Sequence, residues 1–441
     1  MYQPSRQPNQ LRRTRPARRL RMPDCLRPTV MVLFVITAFA GGVGVDRLVL
    51  DGTRDATAST IFTDLPEFAI LEETYNAIRE NYVQSDDISD KDLIYGASQG
   101  MVEALGDEGH STFLSPEEAE RNEASLRGEL IGIGVYVDRT GPMPVVIAPI
   151  DNSPAYEAGI KSGDVIVAIN GTLTADMDED EWTERIRGDV GTEVKLSLLH
   201  QGDEEPYEVT ITREKIKVQP VSWRMLPGDI AWIKLSEFSQ GATDGLVAAL
   251  SQAKAGGAKG VILDLRNNPG GFVFEAQNVG SQFLKDGSIL FREQDREGKV
   301  TPVKTPGNSG EWLDGPVVVL VNEGSASAAE IVSSALRDNE RATLIGGTTF
   351  GTGTVLLPFE LSDGSVVQLG TELWLTADGD QIWKKGVVPD KEVALDEGSY
   401  PALPIDFARP ELTDNEFAAL HDGQLVAGYE SMQQTLRQGH S

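Results

Sequence analysis

Two stretches of this 441-residue chain carry residue types suited to acyl transfer. In VVVLVNEGSASAAEIVSSAL (317–336) an apolar, strand-like run ends at Asn322-Glu323-Gly324, and a helical pattern starts among small residues. That spacing puts Ser327 at or near a helix N-terminus, where unpaired N–H groups and the helix dipole favour negative charge. A nucleophile and a developing oxyanion would gain most there. Ser325 and Ser327 fit equally well as helix caps. In LDLRNNPGG (263–271) a second buried run ends in Pro269-Gly270-Gly271. Glycines let a backbone approach a ligand closely and aim N–H groups at it, although a plain strand-to-helix turn has the same composition. A serine hydroxyl also needs a base at neutral pH. Candidates are Lys384 and Lys385 in DQIWKKGVVPD (380–390), His110 in DEGHSTFL (107–114), and Glu330 one turn after Ser327. Each also has a structural reading: solvated turn lysines, a histidine packed between helices and core, and a carboxylate cap or salt bridge.

The elements that must position these residues can be read from periodicity. Phe68, Leu71, Tyr75, Ile78 and Tyr82 recur at helical spacing, and DKDLIYGASQGMVEAL continues as a second helix ending at Gly106. Ser115 and Glu118 form a capping box before a third helix, so residues 65–126 are expected to be a helical N-terminal domain. Residues 127–216 alternate short β runs with glycine turns. Residues 217–395 alternate apolar runs with helices, which predicts an α/β core, mostly parallel with some antiparallel strands. Sites in such sheets gather at the carboxyl ends of the strands. Residues 396–441 read as a helical tail packed back on the body.

Within 127–216, GIGV (132–135) together with SPAYEAGIKSGDVIVAING (153–171) resembles a PDZ domain. Successive N–H groups at Gly132, Ile133, Gly134 and Val135 could form a nest for a peptide carboxylate, with the peptide added to the neighbouring strand edge. The order of this module, LDLRNNPGG, VNEGSASAAEI, GGTTFGTGTV and LTADGDQIWKKGVVPD is similar to that of the carboxyl-terminal processing, or tail-specific, serine peptidases. The likeness runs from about residue 66, through LGDEGHSTFLSPEE, to the C-terminus. It implies a multi-domain α+β protein with a serine peptidase core of the ClpP/crotonase-like kind. It also implies Ser327 as nucleophile, with Ala328 N–H and a Gly270 or Gly271 N–H as oxyanion donors, and no cofactor. The family's lysine base falls 25 residues after the nucleophile, in FGKG; here that position is Thr352 in FGTG. A glutamine four residues further on, which helps orient the lysine, is Leu356. A threonine cannot take the proton as a desolvated lysine does. Three readings follow: a peptidase with a substitute base, Lys384 or Lys385 foremost; a pseudo-peptidase that binds protein tails without cutting; and an envelope protein using the fold only for assembly.

The N-terminus sets the expected location. Residues 1–28 hold eight arginines against Asp24, a surplus of seven, so the rest of the chain carries −36 where the whole carries −29. The basic tail precedes an apolar run expected to anchor the chain over 29–50, N-terminus in the cytoplasm, with a linker at 51–64 and the body outside. A cleaved signal peptide is the competing reading. The acidic body argues against nucleic acid as partner, leaving protein C-termini, the membrane and a possible second copy. Cys25 is the only cysteine, so no internal disulfide forms. TADMDEDEWTE (174–184) has the wrong spacing for an EF-hand, and no metal site is expected.

Overall fold

The structure, a computed structural model, describes residues 65–438 apart from 108–109, 139–142, 151–152, 162, 178, 201–202, 204, 308–309, 396–400 and 405–410. The expected basic tail, anchor and linker therefore lie outside the described residues. Among those described, no helix is long and apolar enough to cross a membrane. The chain divides into two units, Met1–Leu93 and Ile94–Ser441. In the first, the helix Phe68–Asn81 buries none of its residues. Arg79 ties its end down by donating to the Ser85 and Ile88 carbonyls, each at 2.7 Å.

The second unit is organised around a six-stranded sheet whose spatial order follows the sequence. Its strands are β1 (Val221–Leu226), β2 (Ile230–Leu235), β3 (Gly260–Asp264), β4 (Val317–Val321), β5 (Ala342–Gly346) and β6 (Lys391–Glu392). β1 runs antiparallel to β2, and the remaining pairs are parallel. Helices α1 (Ala242–Ala255), α2 (Val273–Ser281) and α3 (Ala328–Asp338) cover one face, and α4 (Gly423–Gln438) covers the other. The strands read as unbroken apolar runs because both faces are buried. Val317, Val319 and Val321 enter the core with α1, α2 and α3, whereas Val318 and Leu320 pack with Leu425 and Met432 of the C-terminal helix. The described C-terminal helix thus packs on this face of the sheet.

A second sheet joins Thr112–Leu114, Val366–Leu375, Ile289–Gln294 and Val300–Lys304, with Thr354–Glu360 added on the outer side of Val366–Leu375. Its first strand corrects the expectation of an all-helical 65–126 segment. Thr112, Phe113 and Leu114 pair with Gln368, Val367 and Val366, and Phe113 is buried. A β-branched residue and an aromatic with a sheet edge to join override the helical neighbourhood.

Within this unit, residues 129–217 form a β region with a hydrophobic cluster of its own. Strands Val135–Asp138, Val145–Pro149, Val165–Ile169, Glu193–Leu199 and Tyr207–Thr212 make an antiparallel sheet. Its own core includes Ile133, Ile166, Trp182, Leu196 and Leu198. It is rooted by the pair Glu129–Gly132 with Glu214–Lys217.

Candidate active site

β4 ends at Val321, and six residues later the chain enters α3 through a strained turn. Ser327 caps that helix at φ 50°, ψ −116°, a combination unfavourable to any residue with a Cβ. The turn holds because its polar groups are used up. Ser325 is fully buried; its hydroxyl donates to the Leu265 carbonyl at 2.8 Å and accepts from Asn322 N at 3.0 Å. Asn322 and Asn267 exchange two bonds of 2.7 Å, stitching the ends of β4 and β3 together. Ser325 is thus structural, while Ser327 is half-exposed at the N-cap and shares a capping box with Glu330.

Glu330 organises everything around Ser327. Its fully buried carboxylate accepts from Ser327 N at 2.9 Å, Thr349 Oγ1 at 2.5 Å, Gly351 N at 2.7 Å and Thr352 N at 2.9 Å. One side chain therefore bolts the serine turn to the 349–352 loop. Sequence reasoning gave Glu330 a minor part; the Ser-x-x-Glu spacing at the helix start was the available signal. Thr352 is buried and its Oγ1 accepts from Ser327 N at 3.1 Å. Thr352, at the position where the resemblance implies a lysine, therefore lies beside the backbone of Ser327 and holds it.

The glycine pair also reaches the serine. Gly270 has φ 103°, and a Cβ built on it would lie 2.6 Å from Ser327 Cβ, so only glycine fits. The segment is pinned to the end of β2: Phe238 N donates to Gly270 O at 2.7 Å and Phe272 N to Phe238 O at 2.9 Å. Gly270 N donates to Asn268 Oδ1 at 2.9 Å, which removes it from the expected set of oxyanion donors in this arrangement. The N–H groups of Gly271 and Ala328 donate to no group among the described residues.

Lys384 and Lys385, the foremost candidates for a base, lie at the surface rather than in a buried pocket. Both are exposed, and Lys384 Nζ lies over the Trp383 ring and donates to the Gly106 carbonyl at 2.5 Å. Lys234 is the contrasting case: burial pushes its ammonium down to about 8. Its Nζ, however, donates to the Arg266 carbonyl, inside a buried ionic cluster that sequence reasoning missed. There Arg266 pairs with Asp264 at 2.6 Å and with both Asp422 oxygens at 2.8 Å, tying β3 to the start of α4. Burial works against the Asp264 carboxylate, but Arg266 and Lys234 outweigh it and hold its pKa low. His110 is buried, and its Nδ1 has no hydrogen-bond partner.

The 132–135 turn is built for backbone approach. Gly134 has φ 81°, and a Cβ there would meet Ser153 Cβ at 2.3 Å. Its carbonyl accepts from Ile150 N at 2.9 Å and Ser153 Oγ at 3.0 Å, while the buried Ile133 gives its carbonyl to Ala155 N at 2.8 Å. Gly132 ends the rooting strand, and Val135 opens an edge strand whose only partner among the described residues is Val145–Pro149. Behind that edge, burial raises the pKa of the Tyr136 hydroxyl, with the Glu237 carboxylate adding to it. Glu237 is itself pushed up by burial, the Ser125 hydroxyl opposing.

Comparison with known proteins agrees with this geometry. Residues 229–393 match peptidase family S41 and residues 145–199 match the PDZ domain. The carboxy-terminal processing protease CtpA of Bacillus subtilis is 37% identical over 338 residues, covering 77% of this chain and 71% of the relative. The carboxyl-terminal-processing protease of Synechocystis is 37% identical over 335 residues, covering 73% and 77%. A crystal structure of a candidate S41 protease from Bacteroides fragilis shares the fold, with TM-score 0.53 and 20% identity over 73% of this chain and 90% of that one. With two such relatives matched over most of their length, and a glycine pair and a strained serine turn meeting at the ends of β3 and β4, the chain belongs to the carboxy-terminal processing proteases of peptidase family S41.

Proposed function

We propose that this protein is a membrane-anchored serine endopeptidase acting outside the cytoplasm, in which the PDZ domain captures protein C-termini and Ser327 attacks the peptide bond. The observation that carries this reading is Ser327, half-exposed in a strained conformation at a helix mouth, with Gly270 packed directly against it. Attack by Ser327 Oγ would put the carbonyl oxygen between the N–H groups of Ala328 and Gly271, where a preorganised pair stabilises the tetrahedral intermediate. Among the described residues Val135–Asp138 pairs on one side only, with Val145–Pro149, which suits addition of an extended peptide at its other edge. The arginine-rich start and apolar run support anchoring with the acidic body exported.

A second reading is favoured by Thr352, which fills the lysine position and holds Ser327 N. On it, the protein binds tails without cutting them. Full-length protein incubated with an unstructured substrate bearing a free C-terminus separates the two. The peptidase reading expects turnover that Ser327→Ala abolishes while tail binding persists. Binding without turnover, with activity created by Thr352→Lys together with Leu356→Gln, would establish the pseudo-peptidase instead.

A further inference from the structure

The site as described lacks a proton acceptor, and one buried imidazole nearby lacks a proton partner. His110 is 5% exposed, and its Nδ1 makes no hydrogen bond. An unpaired buried nitrogen is destabilising and asks for an explanation. The ring packs on Phe350 with centroids 5.7 Å apart, and Phe350 is two residues from Thr352. The segment bearing His110 is clamped to the same corner. Lys384 Nζ holds the Gly106 carbonyl at 2.5 Å, Trp383 Nε1 donates to Asp107 Oδ1 at 3.3 Å, and Lys384 N donates to Gly351 O at 2.8 Å. The fixed chain of contacts therefore runs from His110 through Phe350 and Gly351 to Thr352 and Ser327.

We infer that His110 replaces the missing lysine as general base for Ser327, directly or through one water. This inference rests on the peptidase reading above. As Ser327 Oγ bonds to the scissile carbonyl carbon, its proton passes to a ring nitrogen of His110. The imidazolium returns that proton to the leaving amine as the C–N bond breaks. Water then gives a proton to His110 while attacking the acyl ester, and Ser327 Oγ leaves and recovers it. The charged groups acting on the ring come from three sides. Burial lowers the His110 pKa below its usual 6.5, Asp107 from its own loop and Glu330 from α3 pull it up, and Lys384 pushes it down. The net lowering favours the neutral ring, the form able to accept a proton.

The test is the pH profile of full-length wild type, His110→Phe and His110→Gln on a peptide substrate, with tail binding and Tm measured alongside. Wild-type kcat should be level from pH 7 to 8 and fall on acidification with a midpoint below 6.5. Both variants should lose about 10²–10⁴-fold in kcat while binding the tail as before. Adding Thr352→Lys and Leu356→Gln to His110→Phe should restore turnover, with the acid limb moved to higher pH. A structural histidine would not be rescued in this way, so failure of the rescue overturns the assignment. Wild-type kcat and profile in both single variants would also overturn it, with the peptidase reading intact as long as Ser327→Ala is dead. No turnover by wild type at any pH would overturn both.

Discussion

Ser327, the proposed nucleophile, sits in a backbone conformation that serine does not favour. At φ 50° and ψ −116° the Cβ is crowded, and four donors converging on Glu330 hold the turn in place. Such strain costs about 1–3 kcal/mol. Glycine has no such crowding, so Ser327→Gly should be inactive and yet melt higher than wild type, by a few degrees, whereas Ser327→Ala should gain nothing. Differential scanning calorimetry of the two variants decides it. At this scale the sequence was legible where a residue type has few uses. The pairing of Ser327 with Thr352 and Gly270 could be read from motif order. The surface setting of Lys384 could not, because it depends on a carbonyl 278 residues away.

The elements meet where the carboxyl ends of β3 and β4 lie side by side, one delivering the glycine pair and the other the serine turn. Parallel pairing of Val261–Asp264 with Val317–Leu320 sets that register, and backbone contact leaves no room for error. Gly270→Ala would push a methyl to 2.6 Å from Ser327 Cβ and 2.9 Å from the Ala326 carbonyl, so something must move. The strand end should shift, taking the Gly271 donor with it. The expected result is a loss of at least 10²-fold in kcat, with tail binding unchanged and stability lowered. The alternation of apolar runs and helices announced this architecture because each central strand is buried on both faces. It did not announce Thr112–Leu114, since three residues carry too little periodicity to stand against the helices around them.

Across the whole second unit, the active corner and the C-terminal helix share one buried ionic cluster. Arg266, Asp264 and Asp422 are at most 1% exposed, and Arg266 is four residues before Gly270. Removing one partner of a buried pair leaves an uncompensated charge, which destabilises by about 3–5 kcal/mol. Asp422→Ala should therefore lower stability by that order in a urea titration and reduce kcat more than a surface change would. Nothing in the local sequence marks Asp422, because its partner lies 156 residues earlier. The latch has a consequence for turnover of the molecule itself. A single backbone cut between Glu392 and Asp422 would change the Asp422 carboxylate from a tethered group at high effective concentration into a dissociable fragment. Once that fragment drifts off, the guanidinium is stranded in the interior and the glycine strand loses its backing, so one nick in the connecting chain would silence the enzyme without touching a reacting atom.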